Sequence, residues 1–546
     1  MVRNVRLLGE TPFDLVIVGA GIYGATVAWD AALRGLSVAI VDRGDFGAGT
    51  SFNSLKTVHG GLRSLQRAAF REVREFVAER RALSRIAPHL VHPLTFVVPT
   101  YRHPLRNKPL MRMAMVLNDV LAFDRNDQPD PSKHLPRGGV VSRDECLRLN
   151  PAIDPDGVTG GVVWHDCQMY SSDRLTLAFL TSACRAGAAA ANYVEAIGFL
   201  HEGGRLTGVQ ARDLLTGEPF DLRARVVISA AGPRAWSLLD RLPDQLRHRR
   251  PSAPLAFSKA INLVTRRVGG STAAGGLADG RFLFMAPWRD VTVIGTSHDP
   301  HPGTPETLSL TGRDVEAFLA QATRAFPRAG LTRADVRLVH RGLLPASPAG
   351  GGHQPLLKHS LVIDHREHGL DGLISVIGVR YTTARATAAR TVDVALTALE
   401  RPVPPCRTAS TPLAGGEIAN FTDYERGLAD RRPEGFAAAA LPRLARCYGS
   451  DLPALVRLAD EQPALAALLS PSCPVTRAEI AYAVRWEMAV HLADAVIRRT
   501  DAGSAGHPGG EAVAAAAAVM AAECRWSEAR VAEEIAAVGR FYHIPD

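Results

Sequence analysis

Residues 13–42 read FDLVIVGAGIYGATVAWDAALRGLSVAIVD. The apolar run Asp14–Val18 predicts a buried strand, and Gly19, Gly21 and Gly24 follow it at once. A helix is predicted over Thr26–Leu33, Gly35 ends it, and a second strand, Ser37–Val41, runs into Asp42. Each part has a mechanical reason. Gly19 permits a tight turn, Gly21 lets backbone approach a pyrophosphate, and Gly24 lets helix and strand pack closely. The helix start then offers unpaired amides and partial positive charge to phosphates. Asp42, about 20 residues past the glycines, can accept hydrogen bonds from an adenosine ribose. Glycine spacing alone is weak evidence; strand, helix, second strand and acid at these offsets point to a dinucleotide.

The downstream sequence favours FAD over a nicotinamide cofactor. Residues 44–65 read GDFGAGTSFNSLKTVHGGLRSL. With Arg43 before them, Gly49, Thr50, Ser51, Ser54, Lys56, Gly60 and Gly61 are the residues expected to line a pyrophosphate and a flavin ring. A second strand exit, VVISAAGPRAW at 226–236, brings in Ala231 and Gly232. A third, GLISVIGVRYTTARATAART at 372–391, brings in Gly378, Arg380 and Thr382. A simple nicotinamide dehydrogenase does not need three such elements, whereas extended FAD touches several strand ends of one domain.

Length and composition bound the rest. At 546 residues the chain exceeds one compact core and predicts two or three domains. Apolar residues at 46% and charged residues at 22% match a soluble globular protein. The net charge of +8 is spread along the chain, with short clusters such as Arg247, Arg249 and Arg250, so no nucleic-acid patch is read. Seven scattered cysteines without a CxxC argue against a disulfide framework or zinc ribbon and for a reducing compartment. No run reaches the ~18 apolar residues of a membrane span. Leu15–Val18 leads into a glycine turn and not a cleavage site. The expected setting is the cytoplasm, with peripheral contact at the cytoplasmic membrane face and a homodimer left open.

Along the chain, Asp14–Val18, Ser37–Val41, Val226–Ala230, Val291–Gly295, Val336–Val339 and Leu373–Ile377 read as strands. Helical segments such as Thr26–Leu33 and Arg174–Arg185 lie between them, an alternation that implies a parallel sheet. Asn126–Pro136, Gly269–Gly280 and Pro348–Gly352 read as loops, the first of them exposed. Arg401–Gly416 reads as a proline-bearing linker, and everything beyond it as helix, including Ala478–Arg499 and Ala512–Ala522. The domains are therefore drawn as 1–400, with a substrate-binding part near 80–170 and 250–350, and 417–546.

The chain resembles the FAD-dependent glycerol-3-phosphate dehydrogenases over nearly its whole length. The matching stretches are GTSFNSLKTVHGGLRSL (49–65), RIAPHLVHPLTFVVP (85–99), DRLTLAFLTSACRAGA (173–188), RFLFMAPWRDVTVIGTS (281–297) and IGVRYTTAR (377–385). YGSDLPALVRLA (448–459) and TRAEIAYAVRWEMAVHLADAVIRRT (476–500) match that family's helical cap. The resemblance implies an α/β FAD-binding Rossmann-type domain interleaved with an antiparallel substrate-binding sheet, followed by an all-helical C-terminal domain. It implies oxidation of the secondary alcohol of glycerol-3-phosphate, with electrons passed to quinone or, in some members, oxygen.

The substrate half of the family pattern is altered. Ser64 stands where the family has tyrosine after HGGLR, and Asn262 stands where it tends to have histidine. One family arginine is Leu344, a second is Lys358, and the GGKLTT lysine is Arg380. Losing a bidentate arginine contact costs about 1.5–3 kcal/mol, roughly ten- to a hundred-fold in binding. A polyol phosphate or other anionic hydroxy compound would suit the remaining Arg63, Lys358 and Arg380. Arg341 could replace the lost arginine only if its side chain shares the face of Leu344.

Oxidation needs a base at the substrate hydroxyl, with hydride passing to the flavin. His59, His340 and Lys358, or Arg380 acting electrostatically, are the candidates, with Arg63 and Asn262 as further catalytic-site residues. Glu487, His491 and Asp494 have i, i+4, i+7 spacing that could hold a metal, yet ion pairing on a helix face explains them better, and no metal is expected. Two other readings stay open: an FAD-dependent amine or amino-acid oxidase, and a flavin-binding module without turnover.

Overall fold

The computed structural model describes residues 1–102, 107–251, 255–347 and 355–545; the loop expected at Pro348–Gly352 lies outside them. The first sheet runs in the order Leu361–Asp364, Leu373–Ile377, Pro219–Ser229, Phe13–Val18, Val38–Val41, Ala189–Ala191. Its strand pairs are parallel except the outermost, Leu361–Asp364 against Leu373–Ile377. Phe13–Val18 and Val38–Val41 are buried at every residue, as strands covered on both faces must be. On one face the helix Ile22–Leu33 packs against Ser172–Arg185 and Ala384–Ala398. On the other lies an antiparallel meander of Val194–Glu202, Arg205–Asp213 and the start of Pro219–Ser229. The chain leaves the first strand toward Val38–Val41, while Pro219–Ser229 flanks its other side. Such a reversal opens a crevice at the carboxyl ends of the strands.

The second sheet runs Val336–Ala346, Ala256–Arg266, Val291–His301, Arg281–Trp288, Ala273–Ala278, Val91–Tyr101, Val158–Met169, Thr57–Val58. Its pairs are antiparallel, except that Ala273–Ala278 runs parallel to Val91–Tyr101. The expected fold class is therefore present, with local corrections. Val291–Gly295 and Val336–Val339 are halves of longer antiparallel strands, not members of a parallel sheet. A strand crosses the segment Gly269–Gly280, which was expected as a loop. Its glycines are there for contact: a Cβ on Gly276 would come 2.6 Å from the Ala325 carbonyl oxygen. Asn126–Pro136 is irregular but anchored, since Lys133 is only 1% exposed and donates to the Val91 carbonyl at 3.1 Å.

Segment 401–416 lies against the first domain. Leu413 N–H donates to Ile86 O at 2.9 Å, and Arg401 pairs with Asp14 at 2.9 Å. Beyond it come the helices Phe421–Asp430, Leu441–Tyr448, Leu452–Glu461, Arg477–Glu487, Gly510–Cys524 and Glu528–Phe541. The region is not helix alone: Leu468–Ser470 pairs with Cys473–Thr476 in a short hairpin. The helix expected through Ala478–Arg499 stops at Glu487, and Met488 takes φ 54° before a π-helical turn over Asp494–Arg499. Asp494 accepts from the amides of Val490 and His491, both at 2.9 Å, and so caps the second segment separately. Glu487 binds Arg174 at 2.8 Å and His491 pairs with Glu534 at 2.7 Å. Glu487, His491 and Asp494 thus do not share one helix face.

Candidate active site

The glycine turn sits where the first strand meets its helix. Gly19 has φ 105°, and a Cβ on Gly24 would fall inside the carbonyl oxygen of Gly19. Close packing of helix on strand therefore depends on both glycines. At the helix start, the Ile22 amide donates to Ser51 Oγ at 2.9 Å, which ties the downstream loop to the phosphate-facing end. Asp42 accepts from Ala20 N–H at 2.7 Å and Gly44 N–H at 2.9 Å. Withdrawal from water nevertheless pushes its carboxyl up to about 6.

That value gives a pH prediction. Without ligand, the contribution of Asp42 to folding is fully present below the ordinary carboxylate value and lost as pH rises through about 6. Ribose hydroxyls donating to the carboxylate favour the ionised form, so linkage makes cofactor binding weaken as pH falls. FAD released on gel filtration is expected to rise between pH 7.5 and 5. Equal retention at both pH values would rule out a ribose contact at Asp42.

The other strand ends complete the cradle. Ala230 lies against Gly19, and Gly232, at φ 58°, has open space where a Cβ would stand, as does Gly49. A Cβ on Gly342 would meet the Thr50 side chain at 3.4 Å, so the end strand of the second sheet covers the loop. Asn53 Oδ1 accepts from the Arg341 amide at 3.0 Å across the same contact. Arg43 is exposed on the turn, and Ser54 N–H donates to Phe52 O at 3.0 Å. Lys56 differs from expectation. Its ammonium is fully buried between Phe52 and Trp288 and donates to Phe52 O at 2.5 Å and Ser172 Oγ at 2.8 Å. Two of its three donors are spent inside the protein and Asp173 stands 3.9 Å away, so it braces the loop from beneath.

At the far end of the cradle, one hydroxyl organises the third turn. Tyr23 OH donates to Arg380 O at 2.7 Å and accepts from the amides of Val379 and Arg380 at 3.1 Å. Ser360 Oγ stands 2.9 Å from it, and Lys358, exposed, lies two residues earlier. The Arg380 guanidinium pairs with Glu72 and lies over the Phe76 ring at 4.9 Å. Thr382 Oγ1 accepts from the His59 amide at 3.2 Å, which joins this turn to the HGG segment. His59 Nε2 is 2.8 Å from Thr57 Oγ1, and Nδ1 is 3.7 Å from Asp166. Asp166 also accepts from Gly60 N–H at 2.7 Å, from Trp164 Nε1 at 3.2 Å and from Arg80. Burial opposes its charge, yet His59 and Arg80 hold its carboxyl below the usual range. A Cβ on Gly60 would strike the Asp166 carboxylate at 2.6 Å, which explains the glycine.

Positive charge collects at the cleft mouth. Partial burial and the nearby charges of Arg380 and Arg67 depress the Arg63 guanidinium. Burial, Arg281 and Arg63 push His298 down to about 4, so it is neutral near pH 7. In the second sheet, Asn262 stands opposite His340, Ala260 opposite Gly342 and Ser258 opposite Leu344. Alternation puts Asn262, Gly342 and Leu344 on the face toward Thr50 and Arg341 on the other, so Arg341 does not replace the missing arginine. Asn262 accepts from Thr296 Oγ1 at 2.8 Å and fills the space over Gly295. His340 is wholly buried, 5.1 Å from the Phe52 ring, and burial drives it well below its ordinary value. It is a packing histidine, not a base.

His59, Arg380 and Thr382 are thus brought together, with Arg63 beside them. Tyr23, Glu72, Asp166 and His298 were missed by sequence reasoning. Tyr23 stood inside the glycine motif and His298 directly after GTS, but nothing local marked Glu72 or Asp166. The open backbone at Gly49 and Gly232, the glycine turn and the half-buried Asp42 fit an FAD.

A parallel sheet opening on such a turn and faced by an antiparallel sheet defines an FAD-dependent oxidoreductase. Residues 14–393 match the family model described as FAD dependent oxidoreductase, and 406–531 match the C-terminal domain of alpha-glycerophosphate oxidase. The chain is 31% identical to a glycerol-3-phosphate dehydrogenase of Synechocystis sp., over 98% of this chain and 97% of that one. It is also 31% identical to the mitochondrial glycerol-3-phosphate dehydrogenase of Mus musculus, over 99% of this chain and 74% of the relative. The solved glycerol-3-phosphate dehydrogenase of Bacillus halodurans, complexed with FAD, superimposes with TM-score 0.73 at 26% identity, covering 98% and 96% of the two chains. The chain belongs to the FAD-dependent glycerol-3-phosphate dehydrogenase family, and FAD is its cofactor.

Proposed function

We propose that this protein oxidises the secondary alcohol of glycerol-3-phosphate or a related anionic polyol and passes the electrons to a quinone or another acceptor. One observation carries the reading: Arg63 and Arg380 stand close enough to repel, beside a histidine–carboxylate pair, at the end of the flavin cradle. Glu72 already pairs with Arg380, whereas Arg63 has no ion pair among the described residues, so an incoming anion is drawn to Arg63 first, with Arg380 beside it.

The turn at Gly19, Gly21 and Gly24, the loop hydroxyls of Thr50 and Ser51, Asp42 and the Gly232 and Gly378 turns would hold FAD. FAD, when bound, supplies the hydride acceptor. The protein supplies position and proton transfer. With Nδ1–H toward Asp166, the Nε2 lone pair of His59 accepts from Thr57 Oγ1 at 2.8 Å; the substrate hydroxyl has to displace that bond for Nε2 to take its proton, while Asp166 stabilises the resulting imidazolium. Arg63 and Arg380 bind the anion, with Lys358 and neutral His298 at its margin. Phe96 and Phe284, each with its ring centroid 6.3 Å from His59, wall one side of the imidazole, which stays partly open to the cleft.

Leu344 is the departure with the clearest consequence. Leu344→Arg restores a fork on the face shared with Asn262, and is expected to lower KM for glycerol-3-phosphate by roughly ten- to a hundred-fold. Steady-state dye reduction measures it, and an unchanged KM would place Leu344 away from the anion. The decisive experiment is anaerobic flavin bleaching by a panel of phosphorylated polyols, amines and amino acids. Bleaching by a polyol phosphate is the expected result; bleaching by amino acids or amines alone, or by nothing, would overturn the proposal.

A further inference from the structure

The cleft mouth holds a third guanidinium. After burial, the charges of Arg380 and Arg67 weigh most on Arg63, so the three stand together. Local structure puts Arg67 there. The short helix Leu62–Leu65 ends, Ala68 takes φ 52°, and the chain reverses into the helix Phe70–Ile86. The Ser64 carbonyl accepts from the amides of Arg67 at 3.2 Å and Ala69 at 3.1 Å, which closes the turn. The reversal folds Arg67 back on Glu72, whose one carboxylate oxygen receives the Arg67 guanidinium at 3.0 Å. The other oxygen receives Arg380. Glu72 is buried, and the Ser64 side chain, small where the family has tyrosine, also hydrogen-bonds it. One turn on, Phe76 carries Arg380 on its ring, and Glu79 holds Arg385 at 3.0 Å a turn further. One face of this helix therefore fixes the cationic wall of the cleft.

The charges do not balance. Among the described residues no other acid pairs with any of the three arginines, and nearby Asp166 is matched by Arg80. Three guanidiniums that share one carboxylate leave two positive charges uncompensated. A phosphate monoester near neutral pH carries close to that charge, and guanidiniums bind it through paired N–H donors. A carboxylate brings only one negative charge. The sheet side of the cleft offers no substitute, since Leu344 is apolar and Asn262 accepts from Thr296 at 2.8 Å.

We infer that Arg67 is a further anion-binding residue, supplying from the helix side of the cleft the guanidinium that Leu344 removes from the sheet side. Glu72 spaces Arg67 from Arg380, and with Arg63 they close on one doubly charged group. The inference rests on the polyol phosphate reading above and adds the residue that selects for double charge.

The test uses the FAD-loaded protein in phosphate-free, slightly alkaline buffer, titrated calorimetrically with inorganic phosphate and, separately, with acetate. Phosphate is expected to bind more tightly than acetate. Arg67→Gln is expected to weaken phosphate binding, and to raise KM for glycerol-3-phosphate, by roughly ten- to a hundred-fold. Over the same change kcat should move by less than about threefold, because Arg67 binds the anion and not the reacting carbon. Arg67→Lys keeps the charge and loses the fork, and should recover part of both effects. The Arg67 side chain is 38% exposed, so both variants should keep the flavin spectrum and melting temperature. Three results would overturn the inference: no phosphate binding by the parent, acetate bound as tightly as phosphate, or phosphate affinity unchanged in Arg67→Gln. Phosphate held through Arg67 without bleaching by any polyol phosphate would uphold the residue and sink the substrate reading. Bleaching by a polyol phosphate with Arg67 indifferent would do the reverse.

Discussion

Replacing His59 with asparagine is expected to lower kcat by about 10²- to 10⁴-fold, the range for losing a positioned general base, with FAD still bound. The fold should survive the change. Asp166 keeps Gly60, Trp164 and Arg80 as partners when the imidazole is gone, so no buried charge is abandoned. The His59 ring is partly exposed, its backbone amide still bonds Thr382, and the proposed anion site at Arg63 and Arg380 is untouched. KM for the anionic substrate should therefore move much less than kcat. Stopped-flow reduction of the flavin under anaerobic conditions isolates the step. A variant reduced as fast as the parent would make His59 a lining residue and send the search for a base elsewhere. Asp166→Asn is the informative contrast, because it weakens the imidazolium and strands Arg80 together, so stability and rate should fall as one.

The largest effect on stability is expected at Asp45. Its carboxylate receives Arg498 Nε at 2.5 Å and Arg499 at 2.5 and 2.8 Å, and Asn192 donates to it at 3.2 Å. All three charged groups are buried. Burial raises the cost of the carboxylate charge, but Arg499 and Arg498 outweigh it and hold Asp45 well below the usual carboxylate range. Its contribution to folding is thus present above the ordinary carboxylate value and lost only as strong acid carries pH through the depressed one. Asp45→Ala leaves two guanidiniums without their main anion and is expected to cost about 3–5 kcal/mol. Asp45 also stands three residues after Asp42, so the same variant should hold FAD less tightly. Chemical denaturation and retained flavin absorbance measure the two effects. A loss under about 1 kcal/mol would mean that water reaches the arginines and replaces the carboxylate.

The nucleotide turn was legible because its signals are local: an apolar run, glycines at fixed offsets and an acid at the next strand end. Leu344 and Lys358 stand out just as locally, as breaks in a family pattern, and the proposal about the substrate rests on them. What escaped reading depends on distant neighbours. A β-branched run such as Val291–Gly295 looks the same in a parallel or an antiparallel sheet, and only its partners at Ala256–Arg266 and Arg281–Trp288 decide. Glycines at 275 and 276 read as loop, yet Gly276 is in a strand where Ala325 leaves no room for a side chain. The break at Met488 has neither glycine nor proline to announce it; buried partners on either side of it dictate the bend. Glu72 and Asp166 are ordinary surface-type residues in the sequence and become part of the site only when helix and sheet enclose them.

The hydroxyl of Tyr23 has a bearing on how the protein is made. Residue 23 emerges from the ribosome early, but the amides it holds belong to residues 379 and 380. The strand Pro219–Ser229 must also slot in beside the first strand before the sheet has its centre. Cofactor capture therefore waits until residues 379 and 380 have been made, and a nascent chain stalled before residue 380 would carry every glycine of the motif and no finished pocket. Non-local closure of this kind delays folding, and the half-made sheet would depend on chaperones to keep its exposed strands apart.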